Sequence, residues 1–437
     1  MKPVVAIVGR PNVGKSALFN KIFGRRKAIT KDEIGVTRDV NYAECTEAGR
    51  DFTLVDTGGF EPEATSAIMV QVREQAELAI EEADLIVLLM DGREGPTPDD
   101  KEIVEVLRRT KKDVIFVVNK IDTGALQALS ADFYSLGLDL VMPVSAEHGL
   151  GVSELIEEIL SRLSTPAEPV ESDEGMVRVA IVGRPNAGKS SLLNKLIGKE
   201  RAVVSAVPGT TRDSVDTVFE RDGKKYFFID TAGIRKKNKI SRRLEKYSVM
   251  EAIKSLENCD VALLVIDGIE GFSAQDEKIA GLIEDRGVGS AVVVNKWDLV
   301  TKETVTSIRY AERIREHAPF IAFAPVLFIS ALTGQRTDKV FDTIDSLYEQ
   351  SRKKVKTSVL NDLLKTITRR HTPPVYRGRN VKFYYITQVG TSPQRFAVFM
   401  NIPEGVPKAY RRYMINRFRD ALDFKEVPIR LTFRRRH

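Results

Sequence analysis

The chain has 437 residues, of which 43% are hydrophobic and 29% are charged, and its formal net charge is +6. This composition is ordinary for a soluble globular protein, and the length indicates about three domains. The apolar run at 4–8 follows Met1 closely, without a long apolar segment or a small-residue cleavage site, so we expect a cytoplasmic protein that does not span a membrane. Cys45 and Cys259 are far apart and outside any CxxC pattern. They support neither a disulfide framework nor a zinc site, and we expect reduced packing thiols.

The charge is unevenly distributed along the chain. Residues 351–437 contain 21 Lys and Arg against 5 Asp and Glu, a net charge of +16, whereas residues 1–350 contain 46 against 56, a net charge of −10. A basic end on an acidic body is typical of a protein that docks on a polyphosphate, most simply RNA. The alternative is a surface that is basic only for solubility.

From the N-terminus, short runs of Val, Ile and Leu alternate with longer stretches of helical spacing. The runs are 4–8, 85–90, 114–118 and 140–144, followed by 177–182, 261–266 and 291–294. This pattern predicts a mostly parallel, doubly wound α/β sheet with helices on both faces, formed twice. Residues 164–175, which lie between the two series, are rich in Pro and acidic residues and are predicted to be a short linker.

Self-comparison of the sequence shows an internal repeat of five short motifs. The pairs are 9–16 with 183–190, 35–39 with 209–213, 56–59 with 230–233, 119–122 with 295–298, and 145–149 with 330–334. The first three pairs share an offset of 174 residues, which then grows to 176 and to 185. Because loops tolerate insertions, this drift indicates two duplicated domains, which we place at 1–163 and 176–350.

After about residue 351 the repeated motifs end and the pattern changes. A helical stretch at 356–371 precedes two alternating strands at 380–388 and 395–402, a basic helix and a last strand at 428–433. The order α-β-β-α-β predicts an α+β module over 351–437, in which one sheet with antiparallel strands is backed by two helices.

The first motif predicts a triphosphate-binding loop in each repeat. It has the spacing GxxxxGK[ST] directly after an apolar strand, so backbone N–H groups at a helix N-terminus can surround a polyanion. Lys15 and Lys189 are expected on the β- and γ-phosphates, and the hydroxyls of Ser16 and Ser190 on Mg²⁺. The two loops are Gly9, Arg10, Pro11, Asn12, Val13, Gly14, Lys15, Ser16 and Gly183, Arg184, Pro185, Asn186, Ala187, Gly188, Lys189, Ser190.

The next motifs predict a metal site and a γ-phosphate sensor. Asp56 and Asp230 each end a predicted strand and are expected to hold Mg²⁺ through water, while Gly59 and Gly233 offer amides to the γ-phosphate. The nucleotide-binding segments are Asp56, Thr57, Gly58, Gly59 and Asp230, Thr231, Ala232, Gly233.

Thr37 and Thr211 lie in the loops between the first helix and the second strand of each repeat. They are expected to bind Mg²⁺ only while the γ-phosphate is present, which is how switch segments are ordered. We therefore predict catalytic roles for these two threonines together with Lys15 and Lys189.

The motif Asn-Lys-x-Asp decides which base is bound. A carboxylate at Asp122 or Asp298 accepts from the ring N–H and the exocyclic amine of guanine, and adenine offers no such pair of donors. Sites of this kind reject the wrong ligand by a factor of roughly 10⁴–10⁵. The remaining pocket residues have three expected roles. The asparagines connect the loops, the lysines lie along the ring of the base, and the Ser-Ala pairs donate backbone N–H groups. These residues are Asn119, Lys120, Ser145, Ala146 and Asn295, Lys296, Ser330, Ala331. The pattern therefore predicts GTP rather than ATP.

With all five motifs in order, twice, the chain resembles the translation-factor-related class of small GTPases. Two G domains followed by a compact basic module resemble the Der (EngA) family of bacterial GTPases, over essentially the whole chain. The duplication distinguishes this pattern from Era-like proteins, which have one G domain. The resemblance implies a KH-like fold for 351–437, packed against both G domains, and a switch in biogenesis of the large ribosomal subunit that binds the ribosome and its RNA according to its nucleotide. We expect a monomer with weak intrinsic GTPase activity.

The C-terminal module departs from the usual KH pattern. RNA-binding KH modules clamp a nucleic-acid backbone with a GxxG loop, and 351–437 contain none. We therefore expect phosphate contacts from basic side chains, namely Lys408, Arg411, Arg412, Arg417, Arg419 and the tail Arg434, Arg435 and Arg436. The alternating aromatic residues are expected in the core rather than as stacking platforms, for example Phe383, Tyr384, Tyr385, Phe396 and Phe399.

The expected catalysis also departs from that of many regulatory GTPases. Those enzymes place a glutamine directly after Asp-x-x-Gly to orient the attacking water, and this chain has Phe60 and Ile234 there. The resemblance implies that a K⁺ ion near the phosphate loop, held partly by Asn12 or Asn186, supplies the charge that an arginine finger gives elsewhere. Slow hydrolysis stimulated by K⁺ is therefore expected.

Other interpretations fit parts of the pattern. A GTPase that assists RNA modification, as in TrmE-like proteins, would need a cofactor site, and the C-terminal module has no cysteine and no cofactor loop. A scaffold in which one nucleotide site never turns over is another alternative.

The segments that follow the two Asp-x-x-Gly motifs differ in charge. Residues 235–243 are basic whereas 60–63 are acidic and apolar, so we expect the two switches to meet different partners, with RNA or the C-terminal module at the second.

Overall fold

The computed structural model describes residues 3–27, 42–47, 50–57, 83–110, 112–123, 128–163, 175–198, 217–229, 252–300, 307–373 and 375–435. The chain divides into two compact units, Met1–Glu171 and Ser172–His437. Among the described residues no helix is both long and apolar enough to cross a membrane. The domain bounds expected from the sequence stay a prediction.

The first unit is a six-stranded sheet with helices. Its strands are β1 (Val4–Val8), β2 (Tyr42–Glu47), β3 (Arg50–Asp56), β4 (Leu85–Asp91), β5 (Asp113–Asn119) and β6 (Val141–Pro143), and its helices are α1 (Lys15–Lys27), α2 (Pro98–Arg108) and α3 (Val152–Arg162), with a 3-10 stretch at Ala128–Leu136. The order is β2-β3-β1-β4-β5-β6, in which only β2 is antiparallel to its neighbour. Strands β1 and β4 are buried along their whole length, as the continuous apolar runs predict for a covered parallel sheet.

The second unit begins with the same fold. Its strands are β7 (Met176–Val182), β8 (Thr217–Arg221), β9 (Lys224–Phe228), β10 (Val261–Asp267), β11 (Gly289–Asn295) and β12 (Val326–Phe328), and its helices are α4 (Lys189–Ile197), α5 (Ala274–Arg286), α6 (Ser307–His317) and α7 (Asp338–Arg352). The order β8-β9-β7-β10-β11-β12 repeats that of the first sheet strand for strand. The prediction of a duplicated, doubly wound α/β fold is confirmed.

The remainder of the second unit is the predicted α+β module. Its elements are α8 (Thr357–Arg370), β13 (Val375–Tyr376), β14 (Arg379–Asn380), β15 (Phe383–Thr391), β16 (Gln394–Met400), α9 (Lys408–Leu422) and β17 (Ile429–Arg435). The sheet order is β15-β16-β17, with an antiparallel and then a parallel pair. The two-residue strands β13 and β14 form a small hairpin that the sequence did not predict. Both helices bury one face at the three- and four-residue spacing of an amphipathic helix.

A buried glutamine joins this module to the last helix of the second α/β fold. Gln394, 1% exposed, lies at the start of β16. Its side-chain amide nitrogen is within hydrogen-bonding distance of the carbonyls of Gln350 (2.9 Å), Ser351 (3.0 Å) and Lys353 (3.0 Å). These carbonyls lie at and just after the end of α7, where a helix leaves carbonyls without intrahelical donors. That of Gln350 also accepts from the N–H of Lys353 at 3.4 Å, and that of Lys353 from the side chain of Gln388 at 2.9 Å. The apolar core also continues from the α/β sheet into the module.

Replacing this glutamine is expected to destabilise the second unit. Gln394→Ala removes the side-chain donor of the Ser351 carbonyl and one of the donors to Gln350 and Lys353, at a cost of about 1–3 kcal/mol in the free energy of unfolding. Trp297 is buried in this unit and is the only tryptophan of the chain, so denaturant unfolding followed by its fluorescence measures the change. The exposed Gln335 is the control, since Gln335→Ala should stay within about 0.5 kcal/mol of the parent. An unfolding midpoint of Gln394→Ala equal to that of the control would contradict the assignment.

Candidate nucleotide-binding sites

Each phosphate loop joins the central strand of its sheet to a helix. In the first unit β1 ends at Val8 and α1 begins at Lys15, and in the second unit β7 leads to α4 in the same way. The Lys15 ammonium donates to the carbonyls of Gly9 and Arg10, both at 2.8 Å. Lys189 donates likewise to the carbonyls of its own loop, at 2.6 and 3.0 Å. Each lysine side chain therefore folds back over its own loop, and its charge adds to the positive end of the helix dipole.

The second glycine of each loop is required by a close approach. Gly14 has a φ of 98°, and a Cβ added there would lie 2.3 Å from the side-chain nitrogen of Asn119. Gly188 has a φ of 94°, and its Cβ would lie 2.1 Å from the corresponding nitrogen of Asn295. Both the backbone conformation and the space exclude a side chain.

The buried asparagines that approach these glycines connect the loops of each site. Asn119 donates from its amide nitrogen to the carbonyl of Val13 (2.8 Å) and accepts from the N–H of Ala146 (2.9 Å). Asn295 makes the same two bonds, to Ala187 and from Ala331, both at 2.9 Å. One side chain thus fixes the phosphate loop against the loop expected to hold the base.

Two aspartates that the sequence analysis missed support the base-binding lysines. Asp91 ends β4 and accepts from the ammonium of Lys120. Asp267 ends β10 and accepts from Lys296 at 2.6 Å. Burial alone would raise the pKa of Asp267, but the bonds from Lys296 and from the amide of Ile269 outweigh it and lower the pKa below its usual value. The sequence did contain a signal for these two aspartates. Both end an apolar run and precede a glycine, and they are separated by the same 176 residues as the two Asn-Lys-x-Asp motifs.

The predicted metal ligands of the first site lie together. The hydroxyl of Ser16 donates to a carboxylate oxygen of Asp56 at 2.6 Å, and Asp56 is buried at the end of β3. Thr57, the next residue, donates its hydroxyl to the carbonyl of Ile7 at 2.7 Å and so holds the end of β3 against β1. Hydroxyl and carboxylate oxygens are the ligands that Mg²⁺ prefers.

Part of the predicted site lies outside the described residues. This applies to the switch threonines, most of both Asp-x-x-Gly segments and the basic stretch after the second segment, namely Thr37, Gly58, Gly59, Thr211, Asp230, Thr231, Ala232, Gly233 and 235–243. Their assigned roles stay predictions.

The first arginine of each phosphate loop contacts carboxylates of its own unit. Arg10 pairs with Asp100 at 2.9 Å and with Glu94 at 3.1 Å. Arg184 pairs with Asp276 at 2.8 Å and with Glu270 at 2.9 Å. Asp100 and Asp276 also close capping boxes at the start of α2 and α5. These guanidinium groups therefore hold the phosphate loop against the start of the following helix, and the predicted nucleotide contacts of Arg10 and Arg184 stay predictions.

The two carboxylates that are predicted to recognise the base have different neighbours. Asp122 accepts from the hydroxyl of Ser145 at 2.6 Å and from the guanidinium of Arg93. These two hydrogen bonds lower the pKa of Asp122. In the second site one carboxylate oxygen of Asp298 is buried and has no hydrogen-bond partner among the described residues.

The basic residues of the C-terminal module divide into two groups. Arg419 is partly buried, donates to the carbonyls of Phe424 (3.0 Å) and Val427 (2.7 Å), and stacks 4.5 Å from the ring centre of Phe323. Burial lowers its pKa. The expectation of a phosphate contact was therefore wrong for Arg419, which holds the module to the α/β fold. The basic side chains of α9 that are exposed are Lys408, Arg411, Arg412 and Arg417.

The aromatic residues of this module also divide. Phe396 is fully buried, as expected. Tyr384 and Tyr385 are 44% and 38% exposed, so the expectation of core positions was wrong for these two. Tyr385 stacks on Phe399 with 4.3 Å between ring centres.

Comparison with known proteins extends over the whole chain. The family described as 50S ribosome-binding GTPase matches 4–120 and 178–296, and the family described as KH-domain-like of EngA bacterial GTPase enzymes, C-terminal, matches 354–434. GTPase Der of Geotalea daltonii is 50% identical over 436 residues, covering 100% of this chain and 99% of that relative. GTPase Der of Geotalea uraniireducens is 49% identical with the same coverage. Among solved structures, Era in complex with MgGDPNP and part of 16S ribosomal RNA aligns with 60% of this chain and 94% of that one, at 24% identity and a TM-score of 0.32.

The duplicated fold, the two phosphate loops and the matching families define a GTPase with two G domains in tandem. The C-terminal module is KH-like. By its full-length identity to these relatives, the chain belongs to the Der family of GTPases.

The close approach at the phosphate loop gives a site-specific prediction. Gly14→Ala should weaken nucleotide binding at the first site on the order of 10- to 100-fold, because the new Cβ strains the backbone and displaces Asn119. Gly188→Ala should do the same at the second site. Energy transfer from Trp297, which lies in the second Asn-Lys-x-Asp motif, to a fluorescent guanine nucleotide measures the second site when Lys15→Ala silences the first.

Gly24→Ala is the matched control for both variants, since Gly24 lies in α1 and no atom would come within 4 Å of its Cβ. It should bind as the parent does. Normal binding by Gly14→Ala in a chain whose second site is silenced would contradict the assignment.

Proposed function

We propose that the protein is a GTP-hydrolysing switch that acts in biogenesis of the large ribosomal subunit by nucleotide-dependent binding to the ribosome and its ribosomal RNA. The observation that carries this proposal is the duplicated asparagine bridge between phosphate and base loops, on a chain that ends in a basic KH-like module. The family description of a 50S ribosome-binding GTPase supports the same partner. We place this function in the cytoplasm and propose that the monomer performs it.

In this proposal the described residues bind and orient GTP or GDP. The backbone N–H groups of both phosphate loops surround the phosphates, and Lys15 and Lys189 neutralise the β- and γ-phosphates. Asp122 and Asp298 accept the two donors of guanine. The loops at Ser145 and Ser330, fixed by the asparagines, close the other edge of the base.

Mg²⁺ fits the first site, because the oxygens of Ser16 and Asp56 converge to 2.6 Å. When bound, the ion neutralises charge on the β- and γ-phosphates. Ser16 would hold it directly and Asp56 through water. The corresponding residues of the second site are Ser190 and Asp230, and Thr37 and Thr211 would complete each shell.

We assign K⁺ binding to Asn12 and Asn186. Both asparagines adopt the left-handed conformation, with φ values of 66° and 62°, at the same position of their loops. Their side chains are exposed beside the phosphate loop. A monovalent cation there would supply positive charge where it develops during hydrolysis, without an arginine from a partner.

Turnover should therefore be higher in K⁺ than in Na⁺ at equal ionic strength. Asn12→Gly and Asn186→Gly test this without backbone strain, because glycine also tolerates a positive φ. Each variant should lose K⁺ stimulation at its own site in single-site measurements of phosphate release. The control is Asn20→Ala, at an exposed position of α1. Equal turnover in the two salts would refute K⁺ stimulation.

The scaffold alternative is tested by measuring turnover in Lys15→Ala and in Lys189→Ala. Turnover at only one site would favour a scaffold with one structural site.

Ribosome binding should depend on both nucleotide and salt. Cosedimentation with ribosomal subunits should be greater with a GTP analogue than with GDP, and it should fall steeply with salt. Arg412→Glu with Arg417→Glu should weaken binding and reduce the slope of log K against log salt by about 1–2, because two phosphate contacts are lost. Lys101→Glu, an exposed charge reversal in α2, should change neither. Association that is equal with GDP and with the analogue would contradict the switch.

A further inference from the structure

Among the differences between the two guanine pockets, one places a charged side chain in hydrogen-bonding contact with the base-recognising carboxylate of the first site only. Two residues after the aspartate that ends β4, the first unit has Arg93, and at the matching place after β10 the second unit has Ile269. The backbone N–H groups of both residues donate to that preceding aspartate at 2.9 Å. The two positions are therefore equivalent in backbone structure and differ in the side chain.

In the first pocket both oxygens of the recognising carboxylate already have a donor. Ser145 donates to one oxygen of Asp122 at 2.6 Å, and the guanidinium of Arg93 pairs with the other. Arg93 is 60% exposed, whereas Asp122 is only 16% exposed. The arginine thus reaches from solvent onto the group that recognises the base, and it neutralises the charge of that group.

In the second pocket the described residues form no equivalent ion pair with the carboxylate. Ile269 has no side-chain donor and is exposed. One oxygen of Asp298 is buried without a hydrogen-bond partner among the described residues. From the position of Ile269, therefore, no guanidinium competes for the carboxylate of Asp298.

These differences act on the two N–H donors of guanine. A carboxylate that is already paired with a guanidinium is a weaker acceptor for a neutral donor, and the shared oxygen has less room for it. Binding guanine at the first site therefore competes with an existing ion pair. At the second site the residue in the place of Arg93 is Ile269, which has no donor, so guanine does not have to displace such an ion pair there.

We propose that Arg93 competes with guanine for Asp122, so that the first site discriminates less strictly for guanine than the second site. This inference rests on the assignment of Asp122 and Asp298 to guanine in the proposed function. It adds a specificity-determining residue in one of the two sites.

The test compares GDP with inosine diphosphate, which lacks the exocyclic amine of guanine. The ratio of their dissociation constants isolates base recognition, because the phosphates are the same in both ligands. The full-length chain is used throughout, with Lys189→Ala to silence the second site and Lys15→Ala to silence the first. Titrations with fluorescent GDP, competed by each unlabelled nucleotide, give the ratio at each site.

The expected ratio is smaller at the first site than at the second. Arg93→Ile should raise it on the order of tenfold, toward that of the second site, since a hydrogen bond from the exocyclic amine to an unshared carboxylate is regained. The reciprocal Ile269→Arg should lower the ratio at the second site. Arg109→Ile, at another exposed arginine of the first unit, should leave it unchanged.

Each other outcome overturns the inference in a recognisable way. A ratio that is unchanged by Arg93→Ile and by Ile269→Arg shows that the ion pair does not compete. A ratio lowered by Arg93→Ile shows that the arginine instead holds Asp122 in place for the base. If the first site does not prefer GDP to inosine diphosphate and Asp122→Ala changes neither affinity, the guanine assignment of the proposed function fails for that site.

Discussion

The buried asparagine bridge is the interaction on which both nucleotide sites depend. Asn119 and Asn295 each use both ends of one amide, and each bond reaches a backbone group that lies far away in sequence. Aspartate in this place would offer no donor to the phosphate loop, and an aliphatic residue would leave a buried carbonyl and a buried N–H unpaired. The same contact requires glycine at positions 14 and 188, because the asparagine amide lies too close to the loop backbone for a Cβ to fit between them.

Strand register brings this bridge to the right place. Asn119 is the partner of Asp91 across β4 and β5, and Asn295 is the partner of Asp267 across β10 and β11. Parallel neighbours end at the same edge of the sheet, so a strand-ending Asp and a strand-ending Asn lie side by side. The central strand, which leads into the phosphate loop, ends at that edge too. The site is therefore a property of the carboxyl edge of the sheet, as in other open α/β folds.

The sequence was sufficient for the elements of the site whose chemistry is local. Glycine spacing after an apolar strand was enough to predict the strand, loop and helix of each phosphate loop. The assignment of Asp122 and Asp298 to guanine stays a prediction. The roles of Arg10 and Arg184 could not be predicted, because their carboxylate partners lie about ninety residues away in sequence and contact them only after folding. Arg419 was misassigned for the same reason. From the sequence alone, an arginine of α9 that faces solvent cannot be distinguished from one that stacks on Phe323. The exposure of Tyr384 and Tyr385 depends on their place on an edge strand with a register shift, which alternation alone does not reveal.

In the second unit the base-binding loop is continuous with the C-terminal module. The loop at 330–334 leads directly through Thr337 into α7, and the far end of α7 is fixed by Gln394 and by Glu426, which accepts from Ser346 at 3.0 Å. Gln394 and the shared apolar core therefore join the helix that follows this loop to the KH-like module within the second unit. The contact is made by buried groups, so its loss leaves polar atoms without partners as well as apolar surface without cover.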